Sequence, residues 1–133
     1  MAITPDISRN FLGTQGLVSQ TLYLNLLGTA AMATIAAGSV VGSFTPIAEA
    51  SGYINATMAG TGWSSTASAG TSTVTYGTQV FSFTGSVGNV QGYTITTGTN
   101  NTGTLVAVEA FATAQMVSAN GDKINIVPTI KIV

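Results

Sequence analysis

An all-β fold, an antiparallel β-sandwich or jelly roll of about eight strands, is what the amino-acid sequence predicts. Three observations carry that expectation. Short apolar segments with alternating polarity recur along the chain, separated by clusters of glycine, asparagine and serine. Threonine, which favours strands, supplies much of the polar surface, while the abundant serine and glycine disfavour helices. No stretch sustains an apolar stripe at helical spacing long enough for a long helix. With 133 residues, the chain has the length of one domain and can bury a core without disulfides or a metal. The expected division is an irregular segment or arm over residues 1–20 and a sandwich over residues 21–133.

Residues 1–20 hold Pro5, two glycines and the isolated apolar residues Phe11, Leu12, Leu17 and Val18. Two readings fit them: an arm laid across a neighbouring subunit, or an irregular segment packed on its own domain. Residues 21–27 (TLYLNLL) form the first strand, with Leu22, Leu24 and Leu26 on one face and Tyr23 and Asn25 on the other. Residues 28–42 are small. A short helix fits residues 30–37, but a loop leading to a strand around residues 40–44 is expected. Residues 46–50 read as one helical turn with proline at its start, ended by Ser51-Gly52.

Residues 52–58 are the next expected strand. Trp63 follows between glycines that let the backbone come close, and its ring is expected to cap one end of the core. Residues 64–72 read as a polar loop. Residues 73–77 and 79–84 are strands, or one strand interrupted by a bulge at Gly77. The block 79–111 is the organising centre. Phe81 and Phe83 share one face of a strand and Tyr93 and Ile95 share a face of the next. Gly85 to Asn89 makes the reversal between them, and a third apolar run over residues 105–111 follows a loop at residues 97–103. Asn120-Gly121 is a favoured turn dipeptide that predicts a final hairpin, with strand residues before it and the alternation of residues 123–133 after it. There Ile124, Ile126, Pro128, Ile130 and Ile132 face one way, with Pro128 marking a strand break or an edge.

Composition removes several function classes. The chain has no cysteine and no histidine, which excludes disulfides, thiolate catalysis, imidazole bases and nearly all transition-metal sites. Charged residues make up 5% of the chain, against about 25% in ordinary soluble proteins. They are Asp6, Arg9, Glu49, Glu109, Asp122, Lys123 and Lys131. A net charge of −1 provides no basic patch for phosphates, so a nucleic-acid partner is not expected. So few charges give little protection against self-association.

Residues 22–42 carry no charge, but Asn25, Gly28, Thr29, Thr34, Gly38 and Ser39 interrupt them. A membrane span needs about 20 predominantly apolar residues, and a signal peptide needs a more basic start. A strand followed by a small-residue loop is the better reading, with no membrane partner.

No catalytic constellation emerges. Glu49 and Glu109 would have to meet in space to act as an acid/base pair, and a lone strand glutamate is more often a hydrogen-bonding or subunit-contact residue. A serine nucleophile has only Lys123 or Lys131 as a base, and neither lies in a motif. Asp122, after its turn, is most simply solvated. The spacing Gly85-x-x-Gly88-x-x-x-Gly92 has no following helix to present to a phosphate. Asn55-Ala56-Thr57 and Asn100-Asn101-Thr102 match glycosylation triplets but carry little weight without a secretory signal. No enzyme activity, no cofactor and no metal is expected.

The order of motifs points further. TLYLNLL is followed by Phe44, Glu49-Ala50, Gly52-Tyr53 and the Trp63 loop. Phe81-x-Phe83-Thr84, Gly92-Tyr93, Leu105, Glu109 and Phe111 come next, and Asn-Gly-Asp then leads into VPTIKIV. Over residues 21–133 this order resembles small virion proteins of tailed bacteriophages, the capsid decoration or cement proteins. The resemblance implies a jelly roll or related sandwich, commonly a homotrimer, seated on the outer capsid surface where subunits of the major capsid protein meet. Arg9, Glu109 and Lys131, being among so few charges, are the charged candidates for subunit or capsid contacts. Phe11, Leu12 and Leu17 of the arm are the apolar ones. A head-fibre or tail-tip module that binds a host glycan is the alternative, with Trp63 and Tyr76 as the stacking rings.

Overall fold

The computed structural model describes residues 16–17, 19–28, 35 and 39–132. The chain is all-β: 58% of it lies in strands, and the sheets are antiparallel. No helix reaches seven residues; among the described residues Gly16 and Leu17 are helical, and single 3-10 turns lie at Val41–Ser43 and Gly60–Gly62. The strands are β1 (Leu22–Gly28), β2 (Ala56–Met58), β3 (Trp63–Ser68), β4 (Thr71–Tyr76), β5 (Gln79–Ser82), β6 (Gly88–Gly98), β7 (Thr102–Val117), β8 (Lys123–Ile126) and β9 (Thr129–Ile132). They form sheets ordered β2-β1-β6-β7, β3-β4-β9 and β5-β8. Sheets of four, three and two strands agree with an all-β sandwich and leave the jelly-roll order without support. The helix considered for residues 30–37 and most of the arm, including Arg9, Phe11 and Leu12, lie outside the described residues. Leu17 is helical and half-buried, its carbonyl accepting from the Gln20 amide at 3.0 Å.

Two compact units emerge. The first takes Leu22–Thr57 and Val80–Asn125. At its centre β1 and β6 run antiparallel, Leu24 opposite Ile95 and Leu26 opposite Tyr93. Those four side chains are buried and share one face. The opposite face is covered as well. Asn25, Thr94 and Thr96 lie there, each at most 1% exposed, so the sheet is dry on this side too. Tyr53 adds an aromatic cluster, its ring centroid 5.8 Å from Phe81 and 6.4 Å from Phe83.

The segment before β2 is not the helical turn that its proline suggested. Pro46 bridges to Leu27, and the Ile47 amide donates to the Leu26 carbonyl at 2.9 Å. Backbone that pairs with a strand edge cannot also close helical hydrogen bonds. The strand expected over residues 40–44 is likewise replaced by the 3-10 turn Val41–Ser43, and the strand expected from residue 52 begins only at Ala56. Asn120-Gly121 does turn the chain, with Gly121 at φ 95°, but it does not close a hairpin. β8 pairs with β5 instead of β7, and Phe83 binds the turn through both backbone groups. Its amide donates to the Asp122 carbonyl and its carbonyl accepts from the Gly121 amide.

The second unit contains Met58–Gln79 and Ile126–Val133. Residues 64–68, expected to be loop, form β3 and pair with β4 from Trp63 opposite Tyr76 to Ser68 opposite Thr71. The two-residue turn is Ala69-Gly70, at φ 49° and 80°, the left-handed pair that a tight hairpin requires. β9 lies on the other side of β4, Lys131 opposite Thr73. The alternation over residues 123–133 is thus one pattern serving two sheets, broken at Val127-Pro128. Ile124, Ile126 and Pro128 are buried as expected, and Ile130 is half-buried.

Candidate functional site

The most chemically furnished surface lies where β7 departs from its partner. β6 and β7 pair from Gly98 opposite Thr102 down to Gly92 opposite Ala110, and the pairing resumes with Val90 opposite Gln115. Gln91 alone therefore faces residues 111–114. Such a bulge bends the strand and re-aims its side chains, and bulges are common beside binding sites. The strands come closest just before it, at Gly92, where an added Cβ would collide with the Glu109 carbonyl oxygen and lie 3.1 Å from the Ala110 Cα.

Residues 111–113 and 115 of β7, with residues 123–125 of β8, line a recess of about 490 Å3 that also includes Glu109. Glu109 is exposed, and the hydroxyl of Tyr93 donates to its Oε2. The ring of Tyr93 is 2% exposed, so the carboxylate is held by an immobile donor. Phe111 packs against the same ring at a centroid distance of 6.2 Å. Lys123 and Asn125 are exposed on β8, with Ile124 buried between them. Gln115 bends over the bulge, its Nε2 donating to the Thr113 carbonyl at 3.1 Å. Acid and ammonium thus line one recess without forming an ion pair with each other.

A second recess in the same unit, about 250 Å3, is lined by Asn25, Pro46, Ile47, Glu49, Tyr53 and Asn100. Here the polar groups are already engaged. Asn55 Nδ2 donates to Glu49 Oε1 at 2.8 Å and to Asn100 Oδ1 at 2.9 Å. The Tyr53 hydroxyl accepts from the Leu26 amide at 2.9 Å. Burial pushes the Tyr53 phenol up to about 12; the Leu26 amide opposes the rise and the Glu49 charge adds to it.

Between that recess and the sheet lies a buried polar network. Asn25 Nδ2 donates to Thr96 Oγ1 at 3.0 Å, and Asn25 Oδ1 accepts from the Asn101 amide at 3.0 Å. Asn101 in turn accepts from Thr94 Oγ1 and donates from Nδ2 to the carbonyls of Phe44 at 2.9 Å and Val41 at 3.2 Å. This network lashes the Val41–Ser43 turn onto the sheet, where Leu27, Phe44, Leu105 and Val108 pack together. Its work is structural, because each group is satisfied.

Of the residues singled out from sequence, Glu109 stands at the larger recess, and Lys131 is exposed on β9 in the other compact unit. Trp63 and Tyr76 do come together, their rings 5.1 Å apart and edge to face. Trp63 is only 5% exposed, however, so its face is occupied by the protein's own packing and is not presented for stacking. Glu49 and Glu109 line different recesses. Alternation already sets Phe111 beside Glu109, but sequence reasoning missed Gln115, Lys123 and Asn125 as its neighbours, since only the bulge and the pairing of β8 with β5 place them. The one available signal was the run Ala110 to Ala114, small apart from Phe111 and too weakly patterned to hold register.

Among the described residues no group of three or more metal-ligating side chains clusters, and no helix is long and apolar enough to cross a membrane. No family model matches the chain, and neither a curated protein nor a solved structure does.

Proposed function

We propose that the chain is a structural virion protein of the capsid decoration class. It attaches as a homotrimer to the outer surface of a bacteriophage head, at junctions between major capsid subunits, and has no enzymatic role. The observation that carries this reading is β7. It is a sixteen-residue strand at the end of its sheet, mostly exposed over its C-terminal half, with Glu109 as its single charge. Soluble proteins guard such edges with lysine, proline or a covering segment. The same sheet is guarded beside β1, where Pro46, Ile47 and Tyr53 occupy the backbone groups of Leu26 and Leu27. An edge left this uncharged suits a protein that works inside an assembly. Multivalent attachment then lets modest contacts per subunit give durable binding.

Arg9, Phe11, Leu12 and Leu17 of the N-terminal segment, with Glu109 and Lys131, are the contact residues this reading nominates. The test is cosedimentation of the purified chain with empty heads stripped of it. Saturable binding that weakens on deletion of residues 2–18 supports the reading, and heads that stay bare at excess protein remove it.

A further inference from the structure

We infer that the recess at the β7 bulge binds an acidic saccharide unit, a sugar ring carrying one carboxylate. The inference does not depend on the capsid reading and concerns the isolated chain.

The size is right for a small ligand, because about 490 Å3 falls within the range of roughly 300–1,000 Å3 typical of such sites. The lining narrows the chemistry. Apolar ligands fit poorly, since Glu109, Gln115, Lys123 and Asn125 all border the space. Phosphate groups fit poorly too, since among the described residues the lining holds a single cation and no helix N-terminus. The polar side chains instead match a ring of hydroxyls. Glu109 Oε2 is fixed by Tyr93 and its Oε1 meets no donor among the described residues, while Gln115 spends one amide hydrogen on Thr113 and keeps its carbonyl oxygen. Asn125 brings both a donor and an acceptor. Phe111, half-buried against Tyr93, supplies an apolar surface for the C–H face of a sugar. Lys123 has no carboxylate partner among the described residues, so it is the group that receives the ligand's own carboxylate.

A polypeptide strand is the competing occupant, because β7 is an edge. The bulge argues against it at this place. Over residues 111–114 the regular ladder is lost, and a bulged, bent strand presents its backbone groups out of register for a pairing strand. Strand pairing would favour Thr102 to Ala110 and leave the recess empty.

The experiment follows backbone amides in 1H–15N spectra as three probes are titrated. They are a glucuronate-containing tetrasaccharide, the same tetrasaccharide with its carboxyls reduced to alcohols, and a short extended basic peptide. The expected result is shifts confined to residues 109–115 and 123–125 with the acidic saccharide at low-millimolar concentration, and binding about tenfold weaker for the reduced form. K123Q abolishes that preference, and E109Q weakens both saccharides; an unchanged spectrum away from the recess shows that each variant is folded. Equal affinity for the two saccharides overturns the role of Lys123. Silence toward both at about 10 mM overturns the site. Shifts confined to residues 102–110 with the peptide alone assign the surface to strand pairing instead.

Discussion

Replacing Asn101 by alanine is the most informative single change in the fold. Asn101 is 8% exposed and sits at φ 56° in the turn between β6 and β7. Its side chain makes three hydrogen bonds, one accepted from Thr94 and two donated to Val41 and Phe44. Each net bond is worth about 1 kcal/mol, and a buried partner left unsatisfied adds about 1–3 kcal/mol. Alanine also tolerates the left-handed backbone less well than asparagine, by about 1 kcal/mol. These terms overlap because they belong to one network, which places the loss at about 3–5 kcal/mol. For a chain of this size that is roughly 10–20 °C in melting temperature. Asn101→Gly removes the same bonds but relieves the backbone, so it should lose about 1 kcal/mol less. Urea denaturation of the three proteins measures this. A loss below about 1 kcal/mol in Asn101→Ala would refute the claim that the network holds the Val41–Ser43 turn onto the sheet.

Three further outcomes are expected. Gly92→Ala should destabilise by about 2 kcal/mol or more, because the new Cβ meets the Glu109 carbonyl; thermal melting reads the loss, and near-native stability would show that β7 yields at its bulge. Tyr53 has a folded pKa of about 12, raised from 10.0, so the folded state holds its proton longer than the unfolded state. Its contribution is complete below pH 10 and fades as pH rises toward 12, by up to about 3 kcal/mol. Wild type compared with Tyr53→Phe in urea across that interval isolates the effect, and parallel curves would exclude it. Asp122 lies below its ordinary 3.8, held there first by the Ser118 amide and then by that of Ala119. A depressed folded value means stability that is present above the unfolded pKa and lost as pH falls through the lowered one. Asp122→Asn should flatten that acid limb, which denaturation midpoints between about pH 5 and pH 2 would show.

The sequence was most legible where large apolar residues alternate. Phe81, Tyr93 and Ile95, and Ile124 and Ile126 are buried on the strands that their spacing indicates, and Phe83 is buried just past the end of β5, which stops at Ser82 instead of residue 84. It was least legible where a small or polar residue carries the pattern. β3 was read as loop because Ser65 and Ala67, which follow Trp63 on its face, give almost no hydrophobic contrast. Alternation places Asn25 on the face opposite three leucines, and nothing local reveals that this face is buried as well. Asp122 was read as solvated, although its Oδ2 accepts from two backbone amides of its own turn. The candidate recess needed pairing information that no single segment holds. The turn at Asn120-Gly121 suggests a hairpin, yet the backbone of Phe83 captures it and carries β8 away to β5, beside the bulge of β7.

The capsid reading meets its most direct test in image reconstruction of stripped heads incubated with the purified chain. The account predicts threefold density on the outer surface at junctions between major capsid subunits, lost when residues 2–18 are deleted. Heads that remain bare, or density confined to the portal and tail, would contradict it.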